Sequence, residues 1–219
     1  VVATGEPVYR ERVLAGAVLT RVAASHLRVG TFQLAGALGR HDLLEALLAH
    51  AVARHDPDLA GTPDVAERFL ERVLDRQAAL VARWMAVGFV HGVLNTDNVA
   101  ISGETIDYGP CAFVDGYDPD AVYSSIDAHG RYRLSHQPSI TLWNLARLAE
   151  ALLPLLASDE EAAIGKANAI LATFEARYDA FRLAAFRAKL GLLDAEGDDD
   201  ALVKDFLALL SAGRSDYTA

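Results

Sequence analysis

A short run of oxygen-bearing side chains is the part of this sequence best equipped for chemistry. Between His91 and Pro110 the chain reads HGVLNTDNVAISGETIDYGP, with Asp97 and Asn98 adjacent and Asp107 nine residues beyond Asn98 in an Asp-Tyr-Gly turn. A hard cation such as Mg²⁺ takes oxygen ligands, usually only one or two of them from protein side chains, and leaves its other positions to water and phosphate. Asn98 and Asp107 could supply those two. Taken singly, an Asp-Asn pair is more often a turn former, because Asx side chains bond their own backbone. The full spacing favours the metal.

Protein kinases space similar residues in a similar way: His-Arg-Asp in the catalytic loop, a metal-binding Asn, then Asp-Phe-Gly. Aligning His91 with the kinase His puts Asn98 on the metal-binding Asn and Asp107 with Gly109 on the Asp-Phe-Gly turn. Where a kinase carries its catalytic Asp, this chain has Val93, and the nearby carboxylate is Asp97. A conventional kinase mechanism therefore loses its base.

The blocks His91 to Asn98, Ile106 to Pro110 and Asp115-Gly116-Tyr117-Asp118-Pro119 resemble the selenoprotein O family, also called YdiU. Further matches are Gly130-Arg131-Tyr132, Gln137-Pro138 and Leu142-Trp143-Asn144-Leu145-Ala146. Upstream, Thr4 to Glu11 and Thr20 to Gly30 also look like that family, as does Ser215-Asp216-Tyr217-Thr218 near the end. The resemblance implies a protein kinase-like fold that transfers AMP from ATP to Ser, Thr or Tyr hydroxyls of proteins, releasing pyrophosphate, with the nucleotide inverted so that the α-phosphorus is attacked. By motif position it implies Asp97 as proton acceptor, Asn98 and Asp107 as ligands of Mg²⁺ (with Mn²⁺ as the alternative), and Arg21 and Arg28 as contacts to the far phosphates. ATP and hydroxyl-bearing proteins are then the expected partners.

Arg21 and Arg28 are seven apart, which on a helix is two turns and one face, so both guanidinium groups could grip one polyphosphate. Other candidates are weaker. Asp115, Asp118 and Asp120 resemble the opening of a calcium loop but lack its closing Glu and its Gly position. His129 and His136 fit no ligand spacing and read as surface or turn histidines. Trp143 sits among Leu142, Leu145, Leu148 and Leu152 and is expected in the core. Cys111, the single cysteine, is expected to be a small, buried apolar residue.

Composition sets the outer limits. The chain has 219 residues, 52% of them hydrophobic and 23% charged, which suits a folded protein with a sizeable core. Twenty basic against thirty acidic residues give a net charge of −10, which disfavours nucleic acid as a partner, since neutralising its backbone needs clustered Lys and Arg. No stretch approaches the roughly 20 apolar residues of a membrane span, and the start lacks a signal-peptide pattern. A cytoplasmic setting is the simplest expectation.

The elements that must hold these residues are mostly helices. Residues 1–10, with Gly5-Glu6-Pro7 as a turn, read as a strand or hairpin fragment. A helix is expected over Leu43 to His55, and another from Thr62-Pro63-Asp64 to about Val87, with Thr62 as N-cap. Residues 101–106 read as two small strands around a turn, forming a catalytic hairpin. Helices then follow from Ser139 to Leu156, from a capping box at Ser158-Asp159-Glu160-Glu161 to about Arg177, on to Leu190 with Gly191 as stop, and from Asp198-Asp199-Asp200 onward.

In domain terms, residues 1–20 are expected to end the strand region of a small N-lobe and residues 21–219 to form one helical C-lobe. No Gly-rich loop or strand Lys precedes residue 20, and the first Lys is Lys166. The sequence therefore reads as a fragment truncated at both ends, with an exposed strand edge prone to pairing and little or no transferase activity by itself. Two other classes stay open: a phosphotransferase of kinase-like fold acting on small molecules or proteins, and a noncatalytic binding module.

Overall fold

Helix α3, Val65–Val87, is the axis of the molecule in a computed structural model that describes residues 1–218. Its 23 residues extend for about 34 Å. Ala66, Phe69, Leu70, Val73, Leu74, Ala78, Val81 and Ala82 recur at helical spacing along its buried face, so one stripe is removed from water along most of its length. Against it pack α4 (Gln137–Leu156), α5 (Glu160–Leu171) and α6 (Phe174–Leu190). Helix α1 (Val29–Ala37) lies on α4, α2 (His41–His55) lies beside α1, and α7 (Asp199–Gly213) rests on α6.

The sheets are small. Strands β1 (Val2–Tyr9) and β2 (Val13–Val18) form an antiparallel hairpin in which every residue except Gly16 is exposed. Strands β3 (Phe89–Val90) and β4 (Ala112–Phe113) pair antiparallel on either side of the His91 to Pro110 run.

Several local expectations are corrected. Gly5-Glu6-Pro7 makes a bulge inside β1, where Gly5 takes φ +76°, and the hairpin turns instead at Arg10 to Arg12. Helix α3 starts at Val65 with Asp64 as its N-cap residue, because Thr62 turns its hydroxyl back to Leu59 O at 2.9 Å. Asp159, not Ser158, caps α5 by accepting from Ala162 N at 2.8 Å. The expected helix to Arg177 breaks at Ala172 and Thr173, where the Thr173 hydroxyl donates to Ile170 O. In place of the expected 101–106 hairpin, a single bridge joins Val99 to Thr105 around a turn at 100–103 among the described residues. Helix α1 has no counterpart among the expected elements. Gly191 ends α6 in the left-handed region as expected.

Trp143 is 40% exposed and not in the core. Ile140, Thr141, Asn144, Leu145 and Leu148 take the inward stripe of α4, so position 143 falls on its flank, where the indole lies between Arg131 and Arg147 at 4.8 and 5.2 Å. Cys111 is half-buried against the main core.

A second core joins the end of α3 to the chain's last residues. Tyr217 is 1% exposed, stacks on Tyr117 at 4.9 Å and donates its hydroxyl to Met85 O at 2.7 Å. Its amide bonds Asp115 O at 2.8 Å, and Tyr117 N returns a bond to Ser215 O at 2.9 Å. Gly88, the C-cap of α3, has φ +70°, and a Cβ there would lie 2.5 Å from the Tyr217 ring and 2.6 Å from Val114. Left-handed backbone costs a non-glycine residue roughly 1–2 kcal/mol, and here crowding adds to it. Gly88→Ala is therefore expected to lower unfolding free energy by more than about 2 kcal/mol, read from the denaturation midpoint at unchanged slope; a loss under about 0.5 kcal/mol would contradict this packing.

Candidate active site

Residues 91–107 contain almost no regular secondary structure, so their backbone polar groups need other partners. Helices α3 and α4 supply them. Gln77 Nε2 donates to Ala100 O at 2.6 Å and Arg76 Nε to Ile101 O at 3.0 Å. Asn144 Nδ2 donates to Leu94 O at 3.0 Å. Gln137 bridges Phe89 O, at 2.8 Å, and His91 N, at 3.0 Å. Trp84 Nε1 holds the Thr105 hydroxyl at 3.0 Å. Arg76 is itself fixed by both oxygens of Asp56, which is 3% exposed, at 2.8 and 3.0 Å.

His91 lies at the centre of the loop, fully buried among Trp84 and Phe89. Its Nε2 contacts Ile106 O at 2.8 Å, and Val93 N contacts its Nδ1 at 3.4 Å. A carbonyl can only accept and an amide N–H can only donate, so the ring is neutral with its proton on Nε2. Asn98 Nδ2 in turn donates to Val93 O at 2.7 Å. A continuous path thus runs from Asn98 through Val93 and His91 to the peptide preceding Asp107, coupling the positions of the two expected metal ligands. The path fixes the Asn98 amide with its nitrogen toward the loop.

Asp107 has φ +57°, unusual for a residue with a side chain. Its carboxylate is held by two arginines: Arg21 Nη2 bonds Oδ1, and Arg28 Nη2 bonds Oδ2 at 3.0 Å. The expectation that Arg21 and Arg28 share a helix face is wrong. Arg21 lies in irregular chain and Arg28 is the extended N-cap residue of α1. They converge because residues 24–29 lie along the 91–107 loop: Val29 N bonds Val99 O and Ile101 N bonds Leu27 O, both at 3.0 Å, and Ala24 N bonds the Glu104 carboxylate at 2.9 Å. His55 Nε2 holds Ser25 Oγ at 2.9 Å. Arg28 Nε is buried and has no partner among the described residues.

Asp97 is exposed in a short 3₁₀ turn, Thr96–Asn98, capped by Asn95 Oδ1, which accepts from Asp97 N at 3.1 Å. The structure therefore brings Arg21, Arg28 and Asp107 into direct contact, links Asn98 to them through His91, and sets Asp97 on the same loop. His129 is exposed in a turn, while His136 is half-buried against Arg133. The sequence gives no role to Gln77 or Thr141, and Gln137 and Asn144 stand in it only as members of matching blocks. Their signal was polarity on an apolar helical stripe, since each occupies a core-facing position of α3 or α4.

The family described as protein adenylyltransferase SelO matches residues 1–219. The protein nucleotidyltransferase YdiU of Cereibacter sphaeroides is 58% identical over 218 residues, covering 99% of this chain and 45% of the relative. Proteins of the same description from Methylorubrum extorquens and Rhizobium leguminosarum are each 54% identical over 217 residues, again 99% of this chain, and 44% and 43% of their own lengths. The chain belongs to the SelO family of nucleotidyltransferases, and it spans less than half the length of these curated relatives.

Burial pushes the His91 imidazole below its ordinary value, opposed by its bond to Ile106 O and by the Asp107 charge. Burial lowers His55 as well, with Arg76 acting the same way. An unfolded histidine takes up a proton below about pH 6.5, while these folded ones resist it. Stability is therefore full above that value and falls as the pH drops toward the depressed folded values. Denaturation midpoints are expected to fall from about pH 7.5 to about pH 5.5, less steeply in His91→Gln; a midpoint that rises on acidification, or an unchanged slope in the variant, would contradict a buried neutral His91.

Proposed function

We propose that the full-length protein is a Mg²⁺-dependent protein adenylyltransferase of kinase-like fold, transferring AMP from ATP to Ser, Thr or Tyr hydroxyls and releasing pyrophosphate. The observation that carries the reading is the clamp of Arg21 and Arg28 on Asp107, tied through His91 to Asn98. In this reading residues 1–20 belong to the strand region of a small lobe, residues 21–219 form the helical lobe, and the β3–β4 pair brackets the catalytic loop. A cytoplasmic setting, with ATP and proteins as partners, goes with it.

The residues present fit the nucleotide and cation. Asn98 and Asp107 offer two oxygen-donor side chains, the number Mg²⁺ usually takes from protein when phosphates complete its shell, and Mn²⁺ would accept the same donors. Arg28 Nε is a buried donor without a partner among the described residues, and such a group is costly until an acceptor reaches it. When bound, the cation supplies charge neutralisation at the phosphates. Arg21 and Arg28 would leave Asp107 for the far phosphates, freeing its carboxylate for the metal.

The chemistry balances simply. The substrate hydroxyl oxygen bonds the α-phosphorus, the bond from that phosphorus to the pyrophosphate oxygen breaks, and the hydroxyl proton passes to Asp97. The arginines neutralise charge on the departing pyrophosphate, an electrostatic role that needs no further covalent step.

Two substitutions separate these roles. Asp107→Ala in the full-length protein is expected to weaken Mg²⁺-dependent ATP binding at least about tenfold by calorimetry. Asp97→Ala should keep that affinity within about twofold and slow transfer by about 10²–10⁴. Equal loss of binding in both variants would sink the division. The clamp adds a sign test: Arg28→Gln should weaken ATP binding yet strengthen binding of Mn²⁺ alone, because Asp107 loses a competing cation, and weakening of both would count against it.

A further inference from the structure

Gly30 is the second residue of α1, and nothing in its backbone demands glycine there, since it is not among the positive-φ residues. Its neighbourhood does. A Cβ built on Gly30 would lie 2.0 Å from Asp97 Oδ1 and 3.2 Å from Asp97 Cγ, with Thr96 O at 3.5 Å. Side-chain carbons do not approach other heavy atoms closer than about 3.0 Å, so any larger residue would drive the Asp97 carboxylate away by about 1 Å. The neighbours are otherwise set: Val29 N is bonded to Val99 O, Arg28 N donates to Thr31 Oγ1 at 3.2 Å, and Asp97 N is capped by Asn95. The Val29–Val99 backbone bond thus ties the first turn of α1 to the residue that ends the 3₁₀ turn, each turn is fixed by its own side-chain cap, and the Asp97 side chain is the part free to yield.

We infer that Gly30 is a positioning residue for transfer: its missing side chain lets the Asp97 carboxylate seat against the first turn of α1, where the helix dipole favours a negative charge. The inference rests on the reading of Asp97 as proton acceptor. Misplacing a reacting group by about 1 Å can cost about a hundredfold in rate without disturbing binding, because positioning is lost while ground-state contacts remain. Arg28, two residues before Gly30, makes the same segment hold both the phosphate clamp and the seat of the base.

The test compares Gly30→Ala, Asp97→Ala and the double variant in the full-length protein, with ATP affinity, kcat, KM for ATP and the ¹³C shift of the Asp97 carboxyl carbon as readouts. Gly30→Ala should leave the melting temperature and ATP affinity unchanged, since alanine is the better helix former, move the Asp97 carboxyl signal, and lower kcat at least about tenfold with KM for ATP unaltered. In an Asp97→Ala background it should have no further effect. An unmoved Asp97 signal, or an equal fall in rate with and without Asp97, would overturn the inference. If the signal moves but Asp97→Ala transfers at the parental rate, the assignment of Asp97 as acceptor has failed and the inference falls with it; if Asp97→Ala is inactive while Gly30→Ala is fully active, only the inference fails.

Discussion

The candidate site is organised around one constraint: an irregular loop has been buried between α3 and α4, and its backbone carbonyls have to be paired. Between Phe89 and Ile106, six carbonyls (Phe89, Val93, Leu94, Ala100, Ile101 and Ile106) accept from side chains: Gln137, Asn98, Asn144, Gln77, Arg76 and His91. Leaving one such group unpaired costs about 1–3 kcal/mol, so these bonds act chiefly by making every alternative loop conformation expensive. The loop inherits its shape from two rigid helices, and the residues able to do chemistry inherit theirs from the loop.

A second constraint is electrostatic. The chain carries a net charge of −10, yet the Asp107 carboxylate faces two guanidinium groups. Arginine suits that place because its fork geometry fits either a carboxylate or a phosphate. In the proposed reaction the clamp would exchange one anion for another without rebuilding its surroundings. Buried, neutral His91 is complementary to it: the ring fixes the peptide before Asp107 and adds no positive charge of its own.

Much of this was legible in the sequence, though unevenly. The spacing of Asn98, Asp107 and Gly109 points to the loop, and the end of α3 at Val87, the end of α4 at Leu156 and the Gly191 stop appear where expected. Arg21 and Arg28 were singled out but given the wrong geometry, because seven-residue spacing fits a helix face and cannot reveal that residues 24–29 pair along 99–101. Trp143 was misplaced because leucine neighbours on one helix do not all face one way, and its partners Arg131 and Arg147 come from two different elements. Tyr217 shows the same limit: its packing on Tyr117 and Met85 joins positions 100 or more residues apart. Local signals gave local structure, and contacts distant in sequence had to be seen.

The proposed reaction moves the α-phosphoryl group of ATP with its nucleoside. Incubating the full-length protein with a hydroxyl-bearing protein substrate and ATP labelled at either the α- or the γ-phosphate tests it directly. Label retained on protein from the α-position alone, with pyrophosphate released, is the predicted result. Label transferred from the γ-position, with ADP left behind, would contradict it and make the protein a phosphotransferase.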